Sequence, residues 1–175
     1  IKEITSLLEK ITDFYKINPN SSYLEAHQRL LYLKDFIENN DGYKLFYHKG
    51  EPLKRESDLQ LIYKLTWYST PYDVNREVNN GRGPADYAIS LGSADKTIIE
   101  FKLASNTKLK QNLAKQVEVY KKANNTKSSI TVILYFNDAE YMRVYKILKE
   151  LEQENNKDII LIDAGNDKPS ASNVK

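Results

Sequence analysis

Glu100 and Lys102 stand two apart in Thr97-Ile98-Ile99-Glu100-Phe101-Lys102-Leu103, a segment whose apolar, β-branched character marks a strand. Positions i and i+2 of a strand leave the same face, so the carboxylate and the amine are neighbours. Asp86 sits on the preceding strand-like segment, residues 85–91, and the Gly92-Ser93-Ala94-Asp95 link suits a hairpin. If Leu91 faces Lys96, Asp86 falls opposite Phe101, beside Glu100 and Lys102 within one residue of register. Charges in so apolar a setting are costly unless paired or metal-bound. Two carboxylates converging there make a seat for Mg2+, which takes one or two carboxylates, waters and phosphate oxygens. The adjacent lysine can orient or deprotonate a water and offset the charge of a scissile phosphate. The competing reading of a bare Glu-x-Lys is an ion pair on a sheet face, because so short a pattern recurs by chance.

Composition removes the other chemistries. The 175 residues contain no cysteine and two histidines, His27 and His48, which excludes disulfide scaffolds, thiol catalysis, cysteine-ligated metals and multi-histidine sites. With 41% hydrophobic and 29% charged residues the chain is a foldable mixture of single-domain size. No apolar run approaches the ~20 residues that a membrane-spanning helix needs, so no membrane partner is expected. The chain opens on Ile1, and the expectation is a cytoplasmic domain of a longer protein, with upstream domains as partners.

The elements that must position these residues follow from periodicity. Ile4, Leu7, Leu8, Ile11, Phe14 and Tyr15 predict one amphipathic helix, and Tyr23, Leu24, His27, Leu30, Leu31 and Ile37 a second, together a helical hairpin. His27 on that apolar face reads as a core histidine. A third helix is expected from about Ser57 to Tyr68, then strands over 72–78, 85–91 and 96–103. Ser105 or Asn106 caps a helix to about Ala123, with Leu109, Leu113 and Val117 buried. A strand over 130–136, a helix over 139–154 and a strand over 158–162 complete an α/β (α+β) mixed-sheet fold. The expected division is an N-terminal helical region over 1–50, a core with a helix–strand extension over 51–163, and a flexible tail over 164–175.

Charge is uneven along this order. Net charge is +2, yet residues 101–127 carry seven lysines against Glu118 alone. Such a stripe suits a phosphate backbone, and the alternative is a solvated helix face. Lys108 and Lys115 belong to it. The turn Gly81-Arg82-Gly83-Pro84, just before Asp86, lets backbone approach a phosphate closely, with Arg82 as a bidentate contact.

Pro84-Ala85-Asp86 followed by Glu100-Phe101-Lys102, on consecutive strands, resembles the PD-(D/E)xK nuclease superfamily. Gln116-Val117-Glu118-Val119-Tyr120 on the next helix matches the Gln-x-x-x-Tyr signature of its RecB-like branch. The likeness covers about Arg55 to Phe136. It implies a restriction-endonuclease-like αβββαβ core and a Mg2+-dependent nuclease, with Mn2+ able to substitute, acting on DNA rather than RNA. Asp86 and Glu100 are then metal ligands together with the Phe101 carbonyl, and Lys102 is the catalytic lysine. Gln116 and Tyr120 contact substrate or brace the site, while Arg82, Lys108 and Lys115 bind phosphate. A further acid comes from the helix before the strands, Glu56, with Glu77 as its rival and Gln60 one turn on. The histidine that some RecB-type enzymes add upstream has no clear counterpart here. At the level of the superfamily, the setting is an effector domain in bacterial restriction or antiphage defence, with homo-oligomers compatible. The alternative is an inactive nuclease-fold module that binds nucleic acid or protein.

Overall fold

A computed structural model describes residues 21–53, 55–79, 84–122 and 128–168, with backbone alone at 77–79, 84 and 116–122. The expected first helix and Arg82 lie outside the described residues.

Helix α1 (Ser22–Asn39) starts at Ser21, whose side chain accepts the Leu24 amide. A 3-10 turn (Gly42–Phe46) leads into a two-stranded ribbon, β1 (Tyr47–His48) and β2 (Glu51–Pro52), and then into helix α2 (Glu56–Leu65). The main sheet is built from β3 (Asp73–Asn79), β4 (Pro84–Leu91), β5 (Asp95–Leu103), β6 (Ser128–Tyr135) and β7 (Ile159–Asp163). Helix α3 (Leu109–Lys122) connects β5 to β6, and α4 (Asp138–Glu150) connects β6 to β7. Spatial order equals chain order, β3-β4-β5-β6-β7. The β3–β4–β5 hairpins are antiparallel, whereas β5, β6 and β7 run parallel because a helix returns the chain between them. The fold is therefore mixed α/β with one five-stranded sheet, as the sequence pattern predicts.

Helices cover both sheet faces. On one side Leu30, Leu33 and Ile37 of α1 and Leu59 and Tyr63 of α2 pack against Tyr87, Ile99, Phe101, Val132 and Ile162. On the other, Leu109 and Leu113 of α3 and Val144, Ile147 and Leu148 of α4 pack on Ile133. Burial on both faces explains the unbroken apolar run of β6.

Three expectations change. The buried stripe of α1 is Ser22, Ala26, Leu30, Leu33 and Ile37, which leaves Leu24 and Leu31 exposed and His27 half-buried beside Tyr23. Ser22 can face inward because Asp95 and Thr97 satisfy it: its amide and hydroxyl donate to the Asp95 carboxylate at 2.6 and 2.5 Å, and its Oγ lies 2.7 Å from Thr97 Oγ1. The hairpin pairs Leu91 with Asp95 rather than Lys96, closing on a three-residue turn in which Gly92 takes φ +69°. Residues 164–168 are anchored: Ala164 and Gly165 are buried, and Lys168 donates to the carbonyls of Glu38 and Asp163.

Candidate active site

The one-residue change of register brings Asp86 level with Glu100. Pairing between β4 and β5 ends at Tyr87–Ile99, while β4 stays on β3 to the Asn79–Pro84 pair and β5 stays on β6 to the Leu103–Leu134 pair. The two strands thus fork. Alternate amides of a strand point to the same edge, so the fork strips the partners from the Phe101 and Leu103 amides of β5. Side chains replace the missing strand. Asp86 Oδ2 accepts the Phe101 amide at 2.6 Å, and Glu56 Oε1, from the first turn of α2, accepts the Leu103 amide at 3.2 Å. Two carboxylates stand where backbone carbonyls would otherwise be.

Glu100 and Lys102 leave β5 on the other face from Ile99, Phe101 and Leu103, which are buried in the α1–α2 core. Lys102 pairs in register with Ile133, and Glu100 with Thr131. Lys102 Nζ lies 3.4 Å from Glu100 Oε2, with side-chain exposures of 15% and 27%, so both are held yet reachable by a ligand. The ion pair expected of a bare Glu-x-Lys is therefore present. It does not account for Asp86 and Glu56 at the same place.

Electrostatics records the crowding. The Asp86 carboxyl is pushed above the usual carboxylate range, first by burial. The Phe101 amide and the Lys102 charge pull it back, and the charges of Glu100 and Glu56 raise it further. Glu56 is held in turn by Asn106, whose Nδ2 donates to the same Oε1 at 3.3 Å. Glu77 falls opposite Asp86 in register, bracketed by the Arg76–Tyr87 and Val78–Ala85 pairs, and its side chain lies outside the description. Gln60, one turn beyond Glu56, is buried and accepts from Arg76 at 3.0 Å.

Asn106 also prepares the basic helix: its Oδ1 accepts the Lys108 amide at 2.9 Å and its carbonyl the Leu109 amide at 3.1 Å. Lys108 is exposed in the turn just before α3 and Lys115 is exposed on it, and Lys110 is tied to Glu150 of α4 at 2.6 Å. Gln116 and Tyr120 lie on the backbone of α3, with side chains outside the described residues. The sequence marks Asn106 only as a cap and gives no sign of Arg143 of α4, which donates to the Ala104 and Asn106 carbonyls. A lone arginine on a helix whose apolar stripe dominates the pattern carries no local signal.

Among the described residues no group of three or more His, Cys, Asp or Glu side chains is arranged to hold a metal ion. Mg2+ does not need one, since one or two carboxylates and water suffice. Asp86 and Glu100 are candidates for such a pair, close enough for the Glu100 charge to raise the Asp86 carboxyl, though less than burial does. No helix among the described residues is long and apolar enough to cross a membrane.

A family model described as a domain of unknown function (DUF8371) matches residues 22–138, more than half of the chain, from the first residue of α1 to the first of α4. No curated protein and no solved structure matches the chain.

Proposed function

The chain belongs to the DUF8371 family, and we propose that it is a Mg2+-dependent nuclease that hydrolyses phosphodiester bonds, DNA in preference to RNA. The observation that carries this reading is the β4–β5 fork, where Asp86 and Glu56 occupy the edge of β5 beside the Glu100–Lys102 pair. Asp86 and Glu56 satisfy the open amides of β5, and a neutral side-chain acceptor could do the same without bringing further negative charge to the Glu100–Lys102 pair. The likeness of Asp86, Glu100 and Lys102 to the PD-(D/E)xK pattern supplies the reaction class, and the order of strands and helices is compatible with it.

In this reading Asp86, Glu100 and the Phe101 carbonyl would hold Mg2+, with Mn2+ able to substitute. The ion supplies Lewis-acid polarisation of the scissile phosphate. Lys102 Nζ holds the attacking water, and its charge offsets the charge gathering on the phosphate oxygens. The water oxygen bonds to phosphorus as the leaving oxygen departs with a proton. Exposed Lys108 and Lys115, with Arg82, bind flanking phosphates, and Gln116 and Tyr120 contact the substrate. Glu56 adds charge at the rim. A cytoplasmic effector domain of a larger restriction or antiphage protein is the setting this reading favours.

The test is incubation with supercoiled plasmid, linear duplex, single-stranded DNA and RNA in Mg2+, Mn2+ or EDTA. Cleavage with either ion that is absent in EDTA and lost in Asp86→Ala supports the reading. Full cleavage in EDTA or by Asp86→Ala overturns it. Metal-independent binding without cleavage favours the inactive module.

A further inference from the structure

Glu56 does not reach the edge of β5 by its own helix alone. It leaves the first turn of α2, on the sheet face opposite to α3 and α4, yet its Oε1 meets the Leu103 amide and Asn106 Nδ2 beyond the end of the α2 core. A flexible carboxylate stays in one place only when its partners are themselves fixed.

Asn106 is fixed at every polar group. Its amide donates to the Leu103 carbonyl at 3.0 Å, its carbonyl accepts from Leu109, its Oδ1 accepts from Lys108, and its Nδ2 holds Glu56. Arg143 closes the arrangement from α4. One Nη donates to the Ala104 carbonyl and the other to the Asn106 carbonyl at 2.9 Å, a fork spanning Ser105. Ala104 is itself locked to β6 by its amide on the Leu134 carbonyl at 2.8 Å. The planar guanidinium suits two carbonyls set at a fixed separation, which a lysine cannot bridge in the same way.

We infer that Asn106, braced by Arg143, is the positioning residue that sets the Glu56 carboxylate beside Asp86. In the nuclease reading neither residue is assigned to the metal or the substrate. They act by fixing where the third negative charge of the site stands. This rests on the nuclease reading only for the identity of the cation that the charge attracts. Outer partners of metal-site carboxylates characteristically change affinity by about 10–100-fold when removed.

Asn106→Ser separates positioning from folding, because a serine hydroxyl can still accept the Lys108 amide but has no amide to offer Glu56. The measurements are Mn2+ affinity by calorimetry, hydrogen exchange of the Leu103 amide in metal-free protein, and single-turnover cleavage titrated with Mg2+. Asn106→Ser and Arg143→Ala are expected to weaken Mn2+ binding about tenfold. They should speed Leu103 exchange and raise the Mg2+ needed for half-maximal cleavage more than they lower the saturated rate. Arg143→Lys should recover part of each effect. In a Glu56→Ala background Asn106→Ser should change nothing further. Wild-type Leu103 exchange and Mn2+ affinity in Asn106→Ser overturn the inference, as does an undiminished effect without Glu56. If wild-type protein binds no Mn2+ and cleaves nothing, the nuclease reading fails, while Leu103 exchange in Asn106→Ser still decides the positioning.

Discussion

Asp86 Oδ2 accepts the Phe101 amide at 2.6 Å one step beyond the last β4–β5 pair, so a carboxylate continues the ladder that the strands abandon. The contact fixes one acid against the backbone of the Glu-Phe-Lys strand, in line with Glu100.

That placement has a cost readable against pH. The Asp86 carboxyl is raised in the folded state, with burial the largest cause. A raised folded value favours the protonated native form, so the associated stability is complete below the unfolded value of about 3.9 and is lost as pH rises through the folded value. Asp86→Asn keeps an acceptor for the Phe101 amide without the charge. In urea titrations of metal-free protein it should be more stable than wild type at pH 7, with the gap closing below about pH 4. A gap that widens towards low pH would show the opposite sign and refute the assignment.

Lys102 should matter to rate and little to metal binding. Lys102→Ala is expected to lower the single-turnover rate about a hundredfold or more, with Mn2+ affinity near wild type. Lys102→Arg should also be slow, because the guanidinium neither releases a proton nor fits the position of a compact ammonium. Near wild-type turnover by Lys102→Ala would leave only its ion pair with Glu100.

The basic helix separates into lysines with different work. Lys108 is exposed in the turn just before α3, whereas Lys110 is engaged by Glu150 at 2.6 Å. Lys108→Ala should weaken duplex binding and lower the slope of log affinity against log salt by about one unit. Lys110→Ala should leave that slope near wild type. Equal losses would mean that the stripe acts as a diffuse field.

Phe101 connects site and core. Its ring centroid lies 5.4 Å from that of Tyr63 and 6.2 Å from that of Tyr87, with no exposed surface. Phe101→Ala should cost about 3–5 kcal/mol in chemical denaturation, and Phe101→Leu distinctly less. Because Asp86 reads the backbone of this residue, Phe101→Leu should retain most metal affinity.

The order of elements was legible in the chain because each has a local cause. The 3.6-residue spacing of Leu109 and Leu113, the doubly buried β6 run and the turn at Gly92 need no distant partner to be read. The same holds for the shared face of Glu100 and Lys102, which follows from the pleat alone. Periodicity misread α1, where Leu24 and Leu31 match the apolar period as well as Ala26 and Leu33 do. Which stripe turns inward was decided by Asp95 and Thr97 receiving Ser22 from 73 and 75 residues away.

The site divides in the same way. Asp86, Glu100, Lys102 and Glu56 could be nominated from residue type, spacing and family likeness. Their relation could not, because it depends on where two strands separate. Leu91 pairing with Asp95 instead of Lys96 moved Asp86 level with Glu100, and the fork after Tyr87–Ile99 opened the amides that Asp86 and Glu56 fill. Asn106 and Arg143 acquired their places only when α2, the loop after β5 and α4 met at one point. A sequence specifies which groups a strand carries and on which face. Closure of the chain on itself determines which carboxylate reaches which amide, since those contacts join residues 15 to 50 positions apart.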